Sequence, residues 1–243
     1  MMKFKLFAFA VILFTAATLI IIPGLIGQEQ RIPAKSERKV FDENRFPLTD
    51  FSAPDPIDPA ERSKRQSRGQ KYDKSDWAVN PNAVSDNTVR VDSVDLNLPA
   101  FPVGQSKAIV IGRITDARAY LSNDKTGIYS VFTVMLDDLI VSPDTSLAPG
   151  SSIEAEREGG RVRFPSGRVH LYRTSEMNMP VLGGRYVLFL TTGSDEAVFR
   201  IVTGYELRDG TVSPLDHLPN IRVYENVSEQ DFLAALRKKI SNP

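Results

Sequence analysis

The stretch 153–172 reads IEAEREGGRVRFPSGRVHLY, and its patterning decides the fold class. Ile153 and Ala155 alternate with Glu154, Glu156 and Glu158. After Gly159 and Gly160, Val162 and Phe164 alternate with Arg161 and Arg163. After Pro165, Ser166 and Gly167, Val169 and Leu171 alternate with Arg168, His170 and Tyr172. A period of two belongs to a strand with one face in the core and the other in water. Gly-Gly is a two-residue hairpin signal, and Phe164–Gly167 reads as a second turn. The pattern predicts a three-strand antiparallel meander, half buried. In that register Glu158 faces Arg161, Glu156 faces Arg163, and Arg163 neighbours Arg168.

More strands flank the meander. Ala108–Gly112 is apolar and β-branched, and its glycine predicts a bulge. The run 127–141 has apolar residues at both parities, as in a strand covered on both faces. Asn123, Asp124 and Lys125 are a polar loop between these two strands. Further on, Arg185–Leu190 and Val198–Leu207 are strand-like. Ser228 is a good N-cap for a terminal helix whose apolar face carries Phe232, Leu233, Leu236 and Ile240. The fold expected for residues 98–243 is mainly β: a small antiparallel OB-like barrel with a C-terminal α-helix.

The runs AIVIGRI (108–114), IYSVFTVML (128–136) and GRYVLFL (184–190) loosely resemble a group of uncharacterised bacterial extracytoplasmic domains, themselves similar to OB-fold or netrin-like small barrels. The resemblance spans about 98–210 and implies a barrel scaffold. Its motifs are strand patterns, so it carries over no catalytic residue.

Upstream the texture differs. Lys3 and Lys5 precede the run 6–27, whose 22 residues include no charge. As a helix that run spans about 33 Å, enough to cross a bilayer core of about 30 Å. Residues 1–27 therefore read as a signal peptide or transmembrane anchor. The absence of an A-x-A site favours the uncleaved anchor. This places the C-terminal domain outside a cell membrane, or free after cleavage as a secreted or periplasmic protein. The basic residues Arg31, Lys35, Arg38 and Lys39 argue for the opposite orientation. Residues 28–97 hold six prolines and no lasting apolar period, which predicts a disordered linker. Within it Arg62, Lys64, Arg65, Arg68, Lys71 and Lys74 form a basic cluster, and Tyr72 and Trp77 are an aromatic pair.

Composition excludes several functions. Thirty basic and thirty acidic residues balance, so no nucleic-acid partner is expected. The chain has no cysteine and only two histidines, His170 and His217, which removes thiol chemistry and the usual zinc sites; no cofactor or metal is expected. Asp137 and Asp138 are adjacent in a strand and diverge. Arg163, Arg168, His170 and Tyr172 share the polar face of the expected meander and are the binding candidates, for an anionic ligand. The reading is a membrane-tethered or secreted non-enzymatic binding or structural module of the cell envelope, partnered with the membrane and with an envelope protein or anion. Its rival is an envelope hydrolase or other enzyme using the His217 loop, with Asp216 as neighbour, or the Arg168–Tyr172 face.

Overall fold

The computed structural model describes residues 42–242 apart from 77, 84, 92–93, 143–146 and 193–197. The expected N-terminal anchor, residues 28–41 and Trp77 lie outside the described residues. Among those described, no helix is long and apolar enough to cross a membrane.

The chain is mainly β. In order it forms β1 (Leu48–Asp50), α1 (Pro59–Gln70), β2 (Asn87–Arg90), β3 (Ala108–Leu121), β4 (Ile128–Val141), β5 (Ser152–Glu158), β6 (Gly160–Arg163), β7 (Val169–Thr174), β8 (Arg185–Thr192), β9 (Phe199–Arg208), β10 (Thr211–Pro214) and α2 (Glu229–Ser241). Strands β3 and β4 are long antiparallel partners joined by the expected loop. Their register shifts between Ile111 and Gly112, where the glycine predicted a bulge. Pairing then runs from β4 to β5, from β5 to β9 in parallel, from β9 to β8, and from β8 back to β3. β10 extends the sheet beyond β9.

The interior is strongly aromatic. Phe101, Phe189, Tyr205 and Phe232 pack with Ile109, Val187 and Leu236 in one buried cluster. Ser228 caps α2 as expected, its Oγ accepting from the Asp231 amide at 3.1 Å. Phe232 and Leu236 are fully buried and Leu233 and Ile240 partly so, as the 3.6-residue period requires.

The expected meander is not formed. β5 belongs to the large sheet, whereas β6 pairs with β7 and, in parallel, with β1. With β2 beside β7, these make a second, four-stranded sheet. Gly159 and Gly160 carry the chain from one sheet to the other instead of turning it back. Gly159 takes a φ of +111°, and a side chain there would meet the Tyr172 carbonyl at 3.0 Å. Alternation sorted the β5 side chains onto two faces correctly, but the glutamate face is covered and not in water, and the pattern contained no information on its partner.

The β6–β7 hairpin does form, one residue out of the expected register. Phe164 N–H donates to the Arg168 carbonyl, so the loop holds three residues and ends on Gly167 at φ +83°. Val162 therefore pairs with His170, and Arg163 with Val169, not with Arg168. A one-residue slip exchanges the faces of a strand. His170 and Tyr172 thus join the buried face with Val162.

The linker expectation is corrected for residues 42–97. The compact unit starts at Asp42, not Leu98. β1 and β2 flank the β6–β7 hairpin in parallel, and α1 lies between them in sequence. Asp58 caps α1 by accepting from the Ala60 amide at 3.2 Å, with Pro59 at the first helical position. Hydrophobic periodicity missed this segment because α1 holds no apolar side chain larger than those of Pro59 and Ala60. Its attachment is polar, through ion pairs to Glu154, a hydrogen bond from Asn123 and the Arg65 guanidinium over the Tyr120 ring.

Candidate functional site

The glutamates of β5 project from one face at every second residue. Each meets a cation from the segment 64–90. Lys64 Nζ lies 3.0 Å from Glu154, and Arg68 pairs with the same carboxylate. Lys71 Nζ lies 3.5 Å from Glu156, and Arg90 Nη1 lies 3.2 Å from Glu158. The arginines expected to face these glutamates are elsewhere: Arg161 donates to the Phe46 carbonyl at 2.8 Å, and Arg163 lies 3.4 Å from Asp50. The Tyr72 ring stacks on Tyr129 at 4.5 Å, and the Arg65 guanidinium sits over Tyr120 at 5.4 Å.

Electrostatics follow from this cover. Burial, with the charge of Glu156, pushes the Tyr72 phenol well above its ordinary range; burial does the same to Tyr129. Burial would raise the Glu154 carboxyl, but hydrogen bonds from Arg68 and Lys64 outweigh it and hold Glu154 below its usual range.

α1 consequently forms a wall between two hollows. On one side is a groove of about 360 Å³ bordered by charged side chains, among them Lys64, Arg68, Asp116, Arg118 and Glu154. On the other is a cleft of about 720 Å³, closed by the segment after β1 and by the β3–β4 loop. That loop is held firmly. Asp124 accepts from the Thr126 amide at 2.9 Å and the Lys74 amide at 2.7 Å, which keeps its carboxyl well below the usual range. Asn123 Nδ2 donates to the Gln66 carbonyl at 2.9 Å, tying the loop to α1. Lys125 Nζ donates to the Phe51 carbonyl at 3.1 Å and stands 4.9 Å from the centre of the Phe51 ring.

The four candidates from the sequence do not share one face. Arg163 is half exposed on the opposite face of β6 from Val162, against Asp50. Arg168 binds Asp86 at 2.5 Å and the Ala83 carbonyl. His170 is buried, its Nε2 2.8 Å from Thr88 Oγ1, and its ring stacks on Tyr172 at 4.5 Å. Burial pushes the His170 imidazole below its ordinary range. Tyr172 is buried and its hydroxyl accepts from the Asn80 amide at 3.2 Å. None of the four borders either hollow.

Asp216 is not a partner of His217. Its carboxylate is fully buried and receives Arg157 Nη2 at 2.7 Å, Thr203 Oγ1 at 2.8 Å and the Asn178 amide at 3.0 Å. Arg157 also donates to the carbonyls of Asn178 and Val202. His217 Nε2 instead lies 3.4 Å from the Asn178 amide side chain. This ion pair joins β5, β9 and the loops after β7 and β10. The sequence held one hint of it, a charged Arg157 at an inward position of an alternating strand. Among the described residues, no group of three or more His, Asp or Glu side chains is placed to hold a metal ion.

The chain matches no known protein family and no curated protein.

Proposed function

We propose that this chain is a non-enzymatic binding module of a cell envelope, built on an OB-like barrel and tethered to a membrane by the apolar run 6–27. The barrel reading is supported by the ring of pairings β3–β4–β5–β9–β8–β3 with its parallel β5–β9 contact. Small barrels of this type use a sheet face and loops for ligands. Here α1 covers the β5 glutamate face, so the ligand site is the cleft between α1 and the β3–β4 loop. The observation that carries the non-enzymatic reading is the closure of the buried charges on structural partners. Arg68 meets Glu154, Lys71 meets Glu156, and Arg157 meets Asp216. A catalytic acid or base needs an ionisable group turned toward a substrate.

The tether is tested by fractionation. The full chain sediments with membranes and is released by detergent, while a chain lacking residues 1–27 is soluble. External protease added to intact cells removes the domain. Protection until the membrane is broken overturns the external placement.

A further inference from the structure

We propose that the cleft between α1 and the β3–β4 loop binds a neutral oligosaccharide. The assignment rests on the binding-module reading above and names its ligand class.

α1 sorts its side chains. Its neutral polar residues Ser63, Gln66, Ser67 and Gln70 fall at i, i+3, i+4 and i+7, a single stripe of the helix. All four border the cleft. The charged Glu61, Lys64 and Arg68 border the groove on the other side. The stripe is therefore not an average sample of a charged helix. None of the four side chains has a hydrogen-bond partner among the described residues. They are open donors and acceptors.

The charges in the cleft are the reverse case, since each already has a partner. Asp50 faces Arg163 at 3.4 Å, Asp55 lies 4.0 Å from Arg65, and Lys125 donates to the Phe51 carbonyl at 3.1 Å. The two carboxylates and the two cations, Arg65 and Lys125, balance one another, so the cleft favours neither sign of charge. A neutral ligand leaves these contacts in place.

Hydroxyl groups fit what is open. A sugar hydroxyl both donates and accepts, as do a serine hydroxyl and a primary amide. Phe51, Ala53 and Pro54 add apolar surface to the wall for the C–H face of a pyranose ring. The volume, about 720 Å³, lies in the range of small-ligand sites.

The test titrates the full chain, in a zwitterionic detergent free of sugar, with chitotetraose, cellotetraose and maltotetraose by calorimetry. At least one binds with a dissociation constant of about a millimolar or tighter. The double variant Gln66→Ala/Gln70→Ala weakens binding about tenfold, the loss of one or two hydrogen bonds, and leaves the thermal midpoint unchanged. Arg168→Gln leaves binding as it was. Failure of all three sugars to bind overturns the proposal. So does binding unaffected by the double variant, or tighter binding of a sulfated oligosaccharide or a neutral peptide. New reducing ends appearing in the same mixture would overturn the non-enzymatic reading and leave the sugar ligand standing.

Discussion

Lys71 Nζ stands 3.5 Å from the carboxylate of Glu156, a side chain with no solvent exposure. Lys71 supplies the ion pair that compensates this buried carboxylate. The pair joins the segment after α1 to the centre of β5. It shows how a stretch nearly without apolar residues is held on the domain.

The two partners are not equivalent. Lys71→Met strands a buried carboxylate and is expected to cost about 3 kcal/mol. Glu156→Gln leaves a lysine that is partly exposed and can reach water, at a cost of about 1 kcal/mol. Urea denaturation of both variants checks this ordering. Equal losses would show that Lys71 does not neutralise Glu156.

The Arg157–Asp216 pair is buried on both sides and shares its hydrogen bonds with Thr203 and Asn178. Removing one partner, as in Asp216→Ala, is expected to cost about 3–5 kcal/mol. The double replacement Arg157→Met/Asp216→Leu regains part of the loss, because neither charge is left alone. Double-mutant denaturation measures the coupling.

Attachment of α1 depends on salt. Exposed and half-exposed ion pairs weaken as the screening length falls from about 10 Å at 0.1 M to about 3 Å at 1 M salt. Trypsin is expected to spare the stretch Arg62–Lys74 at low ionic strength and to cleave it at 1 M sodium chloride. The rest of the domain resists at both. Mass spectrometry of the fragments reads the result, and rapid cleavage at low salt would show that the ion pairs do not hold α1 down.

Stability falls on both sides of neutral pH. Glu154 has a depressed pKa in the fold, so its contribution is present above about 4.5 and is lost as pH falls below that value. His170 is buried and lowered, so its protonation begins to favour unfolding once pH drops below about 6.5. Tyr72 and Tyr129 are raised, so their contribution holds below about 10 and is lost as pH climbs above it. Thermal midpoints across pH measure all three limbs. His170→Phe is expected to flatten the slope between about 6.5 and 5. An unchanged slope there would exclude His170 as its source.

Much of the scaffold was legible. Long apolar strands at 108–121 and 128–141, the polar loop between them, the bulge at Gly112 and the capped terminal helix follow from short-range patterns. The faces of β5 followed too, since alternation within one strand is a local property. The candidate site was largely hidden. α1 lacks the apolar stripe that marks a packed helix, and Ser63, Gln66, Ser67 and Gln70 become a surface only when α1 lies beside the β3–β4 loop.

By itself the sequence determined the mainly β class, the cap of the terminal helix, the uncharged run at the N-terminus and the absence of thiol chemistry. These depend on neighbours a few residues apart or on composition. Only the tertiary structure decided that β5 leaves β6 for β4 and β9, and that the glutamates of β5 meet Lys64, Arg68, Lys71 and Arg90. It also decided that a three-residue loop turns His170 and Tyr172 inward. Strand partners and ion pairs join residues tens of positions apart, and a charge or an alternating pattern looks the same whichever partner it finds.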